Sequence, residues 1–135
     1  MGKVIDQVFD IYITEETNCS AIMYKSILNS RGIEVSDDAL RIFSGYSGGV
    51  STENLCGAVI GAVAAFGYLI NKGDDDTFEL SKDATEKFYN RVAEKFGSTN
   101  CHDIKTVYRT EEMRCLEAVK IIADIAEEVL QEFKV

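Results

Sequence analysis

The amino-acid sequence predicts an all-α protein, a single-domain bundle of about six helices around a buried central helix rich in Gly and Ala. Its 135 residues include no proline, and no run of strand length alternates apolar with polar residues. Several segments instead place apolar residues three or four positions apart, which is the period of an amphipathic helix. A chain of this length can bury one hydrophobic core, so we expect residues 1–135 to form a single helical domain.

The first two predicted helices lie in the N-terminal quarter of the chain. The first runs roughly from Lys3 to Ile13. The second follows Asn18, a residue type that caps helix starts, and ends near Arg31, where Gly32 suits a left-handed stop. The apolar stripe of the first helix is formed by Val4, Val8, Phe9 and Tyr12.

The third and fourth predicted helices flank the glycine-rich stretch SGYSGG. Ser36 caps the short third helix, and SGYSGG is interpreted as a tight turn, with anion binding through its backbone N–H groups as the alternative. The fourth helix begins near residues 51–52, runs to about Asn71 and is apolar on nearly all sides, as in a helix surrounded by others. Its uncharged run is shorter than the ~20 strongly apolar residues that a bilayer requires, so we expect burial and no membrane span. The apolar contacts of the third helix are assigned to Leu40, Ile42 and Phe43.

The last two predicted helices carry the clearest apolar stripes. The fifth follows a solvated acidic turn, KGDDDTFEL, begins at Ser81 and is closed by Gly97. The last begins from a Thr110 cap and continues almost to the end of the chain. The residues expected to face inward are Ala84, Phe88, Val92 and Phe96 in the fifth helix, and Leu116, Val119, Ile122, Ala123, Ala126 and Leu130 in the last.

The charge of the chain excludes some classes of partner. Its 14 Lys and Arg residues stand against 23 Asp and Glu residues, and the resulting net charge of −9 repels nucleic acids and anionic membrane surfaces. The first residues lack the uninterrupted hydrophobic segment of a signal peptide. We therefore expect a cytoplasmic protein, and in that reducing compartment four cysteines seldom form a structural disulfide set.

The four cysteines are the candidate functional residues. The tripeptide Thr-Asn-Cys occurs twice, and because Asn is a strong N-cap, Cys19 and Cys101 are each predicted to be the first residue of a helix. The free N–H groups and the macrodipole of a helix start favour a thiolate, so we expect pKa values below the usual ~8.5. Cys115 follows the Thr110 cap by five residues, and Cys56 lies one turn into the predicted fourth helix. All four cysteines are therefore expected in the opening turns of four different helices.

This placement predicts a thiol-based redox protein in which the four helix starts converge. A cysteine would attack an oxidised partner, and a second cysteine would resolve the mixed disulfide. We assign the attack to Cys19 or Cys101 and the resolving or coordinating role to Cys56. Cys115 is the second candidate for either role. The partner would be a redox protein or a small oxidised substrate, and the sequence leaves a homo-oligomer open.

The heptapeptide CGAVIGA around Cys56 adds a second argument. Gly57 and Gly61 lie four positions apart on one helix face, although Gly costs roughly 1 kcal/mol against Ala inside a helix. Close crossing of two helices would explain them. The functional interpretation is that Gly57 and Ala58 keep space open around the Cys56 sulfur for a thiol, a substrate or a metal, and both explanations can hold together.

Two alternative functions remain open at this point. Four thiolates could hold a zinc ion or an iron–sulfur cluster as cofactor, with His102 replacing one of them, although the cysteines are 37, 45 and 14 positions apart and form no Cys-x-x-Cys pair. His102, the only histidine, is otherwise an exposed residue or a base beside Cys101. The second alternative is a helical interaction domain without enzymatic activity or cofactor, whose buried cysteines are inert.

The four cysteines and the motif at residues 56–61 resemble the family designated C_GCAxxG_C_C, whose members are described as redox-active. Cys56, Gly57, Ala58 and Gly61 match the fixed positions of its Cys-Gly-Ala-x-x-Gly motif. The resemblance implies that Cys19 is the first family cysteine, Cys56 the motif cysteine, and Cys101 and Cys115 the two that follow. It covers nearly the whole chain and implies a redox role without a substrate or an assigned catalytic residue.

Overall fold

Helices follow one another along the whole of the structure, a computed structural model that describes residues 2–14 and 18–135. Within those ranges there is no strand, only two isolated β-bridges, and the all-α prediction is confirmed. A 3₁₀-helix, Arg41–Tyr46, and a turn with left-handed backbone, Gly49–Glu53, join the third helix to the fourth. The α-helices are α1 Val4–Thr14, α2 Cys19–Ser30, α3 Asp37–Leu40, α4 Gly57–Ile70, α5 Asp75–Phe96, α6 Cys101–Tyr108 and α7 Leu116–Glu132.

Helix α4 packs against α2, α5 and α7 and supplies many of the small residues of the core. Its crossing with α2 is close, because Gly61 lies directly against the backbone of Ser20. A Cβ atom on Gly61 would collide with the Ser20 carbonyl oxygen. None of the described helices is both long enough and apolar enough to cross a membrane. The residues that α4 buries are Gly57, Ala58, Val59, Gly61, Ala62, Ala65, Phe66, Leu69 and Ile70.

A buried ion pair joins three helices at the end of the bundle where α2 ends. Two nitrogens of the Arg31 guanidinium each donate to one carboxylate oxygen of Glu127, and both distances are 2.8 Å. The same carboxylate accepts from the Val4 backbone N–H at 2.9 Å and from the Gln131 amide at 3.0 Å. These donors lower the pKa of Glu127 to about 2. The pair therefore fixes the start of α1 against the last turns of α2 and α7.

Two predicted helix starts are wrong for reasons of local backbone geometry. Helix α4 begins at Gly57 and not at residues 51–52, because Val50, Ser51 and Glu53 have φ values of 61°, 58° and 59°. Residues in this left-handed region cannot belong to a right-handed α-helix. Helix α5 begins six positions earlier than predicted, since the Asp74 carboxylate caps it by accepting from the Thr77 N–H at 2.8 Å. The acidic turn is thus largely the first turn of α5.

The last helix is also shorter than predicted. It begins at Leu116, because Thr110 and Arg114 form a β-bridge and Arg114 has a φ of 52°. The apolar residues predicted to face inward from this helix are all buried. Two residues predicted for other apolar stripes are exposed, Phe9 to 47% and Ile42 to 70%, and Phe96 of the predicted fifth helix is half-buried.

The crossing of α2 and α4 gives a direct test of the packing. We expect Gly61→Ala to reduce the free energy of unfolding by about 1–3 kcal/mol, because the two backbones must separate to admit a methyl group. Urea denaturation followed by circular dichroism measures the change.

Gly67→Ala, in the same helix, is the matched control. No atom lies within 4 Å of a Cβ at this position, so the gain in helix propensity should stabilise the protein by up to about 1 kcal/mol. Equal effects of the two substitutions would contradict the close crossing.

Candidate functional site

All four cysteines line one cavity of about 240 Å³. Cys19 and Cys101 are the first residues of α2 and α6, as predicted. Cys56 and Cys115 occupy the N-cap positions of α4 and α7, whereas the sequence placed them about one turn inside their helices. Four helix starts therefore converge on the same space.

The two Asn-Cys pairs use different local geometries. The Asn18 side-chain oxygen caps α2 by accepting from the N–H groups of Ser20 and Ala21, both at 3.1 Å. Asn100 makes no such side-chain cap bond. It instead forms an antiparallel β-bridge with Leu55. The predicted cap is therefore right for Asn18 and wrong for Asn100.

The bridge between Leu55 and Asn100 brings two cysteines together. The Cys56 N–H donates to the Thr99 carbonyl at 2.8 Å, and the Cys101 N–H donates to the Asn54 carbonyl at 2.5 Å. Residues on either side of such a bridge share one face, so Cys56 and Cys101 are diagonal neighbours across it. Diagonal Cα atoms in a regular ladder lie ~7–8 Å apart. A disulfide needs Cα atoms about 4.4–6.8 Å apart, so a regular ladder places a diagonal pair just outside that range.

Glycines permit the close approach of the helix starts. A Cβ on Gly57 would lie 3.4 Å from the Cys19 Cβ, and one on Gly49 would lie 2.6 Å from the Cys101 Cβ. Gly57 lines the cavity, and the space-making role predicted for it stays a prediction. Ala58 and Gly61 do not line the cavity. Ala58 is fully buried in the hydrophobic core, and Gly61 packs against the backbone of Ser20 in α2.

Burial overturns the prediction that the helix-start thiols have low pKa values. It raises the pKa of Cys19 to about 12 and that of Cys56 to about 11, and it also raises the pKa of Cys101. For Cys19 the next cause is repulsion by the other thiolates, that of Cys56 first. Burial therefore outweighs the positive electrostatic potential of the helix starts. At neutral pH these three thiols are protonated.

Three basic residues on the cavity wall were missed by the sequence analysis. Lys105 lies one turn after Cys101 on α6, Arg109 follows the end of that helix, and Arg114 precedes Cys115. The position of Lys105, four residues after Cys101, is a signal that could have revealed it, because such residues share a helix face. The adjacency of Arg114 and Cys115 is a weaker signal.

Tyr12 was predicted only as a core residue, but it also lines the cavity. Its hydroxyl oxygen accepts from the Cys115 N–H at 2.9 Å, and the Arg114 guanidinium lies 4.7 Å from the centre of its ring. Tyr12 thereby positions the start of α7. The 103 positions that separate it from Cys115 leave no local signal of this contact.

His102 lies outside the cavity. Its side chain is 65% exposed, and its Nδ1 atom lies 3.8 Å from a carboxylate oxygen of Glu53. In the described residues, no three His, Cys, Asp or Glu side chains are grouped so that they could hold a metal ion.

Together, the fold and the cavity define a small all-α protein with four cysteines at converging helix starts. A family model described as "Putative redox-active protein (C_GCAxxG_C_C)" matches residues 17–129, which include all four cysteines and the motif at residues 56–61. The chain belongs to this family, and the family description supports a general redox role. Neither a curated protein nor a solved structure significantly matches the chain.

The raised pKa values predict how the thiols react with an alkylating agent. Because the thiolate is the reactive form, the rates of Cys19 and Cys56 with iodoacetamide should rise tenfold per pH unit up to pH ~10 without a plateau. Peptide mass spectrometry after short pulses at each pH gives the rate of each cysteine separately.

The urea-denatured chain is the control, since its thiols should level off above their ordinary pKa of ~8.5. The alkylation measurements stop near pH ~10, because the folded protein becomes less stable at higher pH. The unfolded chain loses its thiol protons more readily than the folded one. Stability therefore falls as the pH rises from ~8.5 towards the folded pKa values. A plateau for Cys19 below pH ~9 in the folded protein would contradict the raised pKa.

Proposed function

We propose that the protein is a thiol-based redox protein in which Cys101 attacks an oxidised substrate and Cys56 resolves the mixed disulfide. The observation that carries the proposal is the single cavity lined by all four cysteines, which span 96 positions of the sequence. Small core residues with no shared chemistry need not occupy one site. The description of the family as redox-active points the same way.

Cys101 is the better of the two candidate nucleophiles. Burial raises the pKa of Cys19 to about 12, whereas Cys101 is less deeply buried and its pKa is raised by less. The positive charges of Lys105 and Arg109 also oppose the increase at Cys101. Exchange proceeds through the thiolate. A larger fraction of Cys101 than of Cys19 is therefore reactive at neutral pH.

Cys56 is suited to the second step because of its position on α4. It is the diagonal neighbour of Cys101 across the Leu55–Asn100 bridge. The backbone N–H groups of Ala58 and Val59 lower the pKa of Cys56, although burial outweighs them. These groups would stabilise the thiolate at the moment when it attacks.

The proposed reaction consumes one disulfide and forms another. The Cys101 thiolate attacks one sulfur of a substrate disulfide, which breaks the substrate S–S bond and releases a thiolate that takes a proton from solvent. Cys56 then loses its proton and attacks the Cys101 sulfur, which forms the internal disulfide and releases the second substrate thiol. The substrate gains two electrons and the protein loses two. A dithiol reductant would restore the reduced protein, which fits the cytoplasmic location that we propose.

Serine variants test the two roles with bis(2-hydroxyethyl) disulfide as substrate. We expect the wild-type protein to lose two hydrogens and form a Cys56–Cys101 disulfide, identified by intact mass and peptide mapping. Cys101→Ser should remove both the mixed and the internal disulfide. Cys56→Ser should accumulate the mixed disulfide on Cys101, because the resolving thiol is missing.

Cys115→Ser is the matched control and should form the Cys56–Cys101 disulfide as the wild type does. If Cys115→Ser accumulates the mixed disulfide and Cys56→Ser does not, then Cys115 is the resolving cysteine. A wild-type protein that keeps four free thiols under the same conditions would overturn the proposed function.

A further inference from the structure

The wall of the cysteine cavity is positively charged, in contrast to the rest of the protein. Lys105, Arg109 and Arg114 line it, and none of the Asp and Glu residues that the structure describes does so. The chain as a whole carries 23 acidic residues and a net charge of −9. Basic side chains are therefore concentrated where an incoming molecule would meet the thiols.

The same three basic residues also line a shallower depression outside the cavity, together with Thr106, Thr110 and Glu111. Because the basic residues border both spaces, they form a shared rim, and they outnumber the one acidic residue that lines the depression. The Arg114 guanidinium is held over the Tyr12 ring, and the positive charge of Arg109 offsets part of the increase that burial causes in the pKa of the Cys101 thiol. Within the described residues, Lys105 is the one of the three that forms a salt bridge, and its partner is Glu53. The two arginines are thus the stronger candidates to bind an anion.

The dimensions of the cavity restrict the size of that anion. A volume of about 240 Å³ lies just below the range of roughly 300–1,000 Å³ that is typical of small-molecule pockets. This space suits a molecule of about ten non-hydrogen atoms. The buried Cys56 and the apolar walls formed by Ile22, Ile104 and Val119 suit the uncharged middle of such a molecule.

We propose that the cavity binds small organic disulfides that carry carboxylates, with Arg109 and Arg114 holding the anionic ends and Cys101 attacking the central S–S bond. The inference rests on the proposed thiol exchange and names its substrate class. The electron balance is that of the exchange: one dianionic disulfide is reduced to two thiols, and the protein is oxidised to one internal disulfide.

Three small disulfides of different charge test the inference. These are 3,3′-dithiodipropionate, with two carboxylates, bis(2-hydroxyethyl) disulfide, which is neutral, and cystamine, with two ammonium groups. Each rate is divided by that of the same disulfide with the neutral thiol dithiothreitol, because leaving thiols of different pKa differ in intrinsic reactivity. At pH 7.5 and low salt, we expect this corrected rate of the wild-type protein to be about tenfold higher with the dianion than with the dication. The difference between the rates with the dianion and the dication should decrease as NaCl is raised to 0.5 M, because salt screens the charges at the rim.

Substitutions at the rim should change the ratio of dianion to neutral rates. We expect Arg109→Gln and Arg114→Gln each to lower this ratio about threefold, within the range of partly exposed ion pairs. Glu53→Gln should raise the ratio, because it frees Lys105. Arg41→Gln, an exposed arginine outside the cavity, is the matched control and should leave the ratio unchanged. The neutral disulfide corrects each variant for altered thiol reactivity, and a gain from Glu53→Gln cannot result from misfolding.

The outcomes separate this inference from the proposed function. Equal rates for the three disulfides, each yielding the internal disulfide, would overturn the anionic substrate class and leave the thiol exchange standing. Failure of all three to oxidise the protein would overturn both. A ratio that falls equally in Arg41→Gln and Arg109→Gln would show that only the overall charge matters, which also contradicts the inference.

Discussion

The close crossing of α2 and α4 is the contact on which the rest of the structure depends. Gly61 lacks a side chain at the point where it meets the Ser20 carbonyl oxygen, so the two helix axes approach more closely than any larger residue would allow. The approach places the Cys56–Gly57 start of α4 beside Cys19. The first and second cysteines of the chain reach one cavity because of this backbone contact, and α6 and α7 then complete its walls.

Two opposing effects decide the chemistry of these thiols. Free N–H groups at a helix start stabilise a thiolate, whereas burial and the other thiolates destabilise it. Burial is the larger effect at Cys19, Cys56 and Cys101. Strong oxidants among dithiol proteins owe their potential to a stabilised thiolate in the reduced form. Since this cavity does not provide that stabilisation, the proposed dithiol is suited to donating electrons to a disulfide.

The sequence predicted the features that depend on local periodicity and spacing. The inward faces of α5 and α7 follow a helical repeat, and Cys19 and Cys101 do begin helices. Helix starts set by left-handed backbone, as at Val50, could not be read from residue types that normally avoid this conformation. The low pKa values were predicted wrongly because burial is a tertiary property. The contact of Tyr12 with Cys115 was missed for the same reason, since it joins distant parts of the chain.

The reduction equilibrium of the cavity tests the central claim most directly. Purified protein is equilibrated anaerobically in dithiothreitol buffers of graded potential, quenched with acid, and its internal disulfide is quantified by mass. We expect the Cys56–Cys101 disulfide to form within single chains, independently of protein concentration. The equilibrium should show a two-electron dependence of about 30 mV per tenfold change in the ratio of oxidised to reduced protein. Four thiols that stay reduced across the whole series, or disulfides that form only between chains, would contradict it.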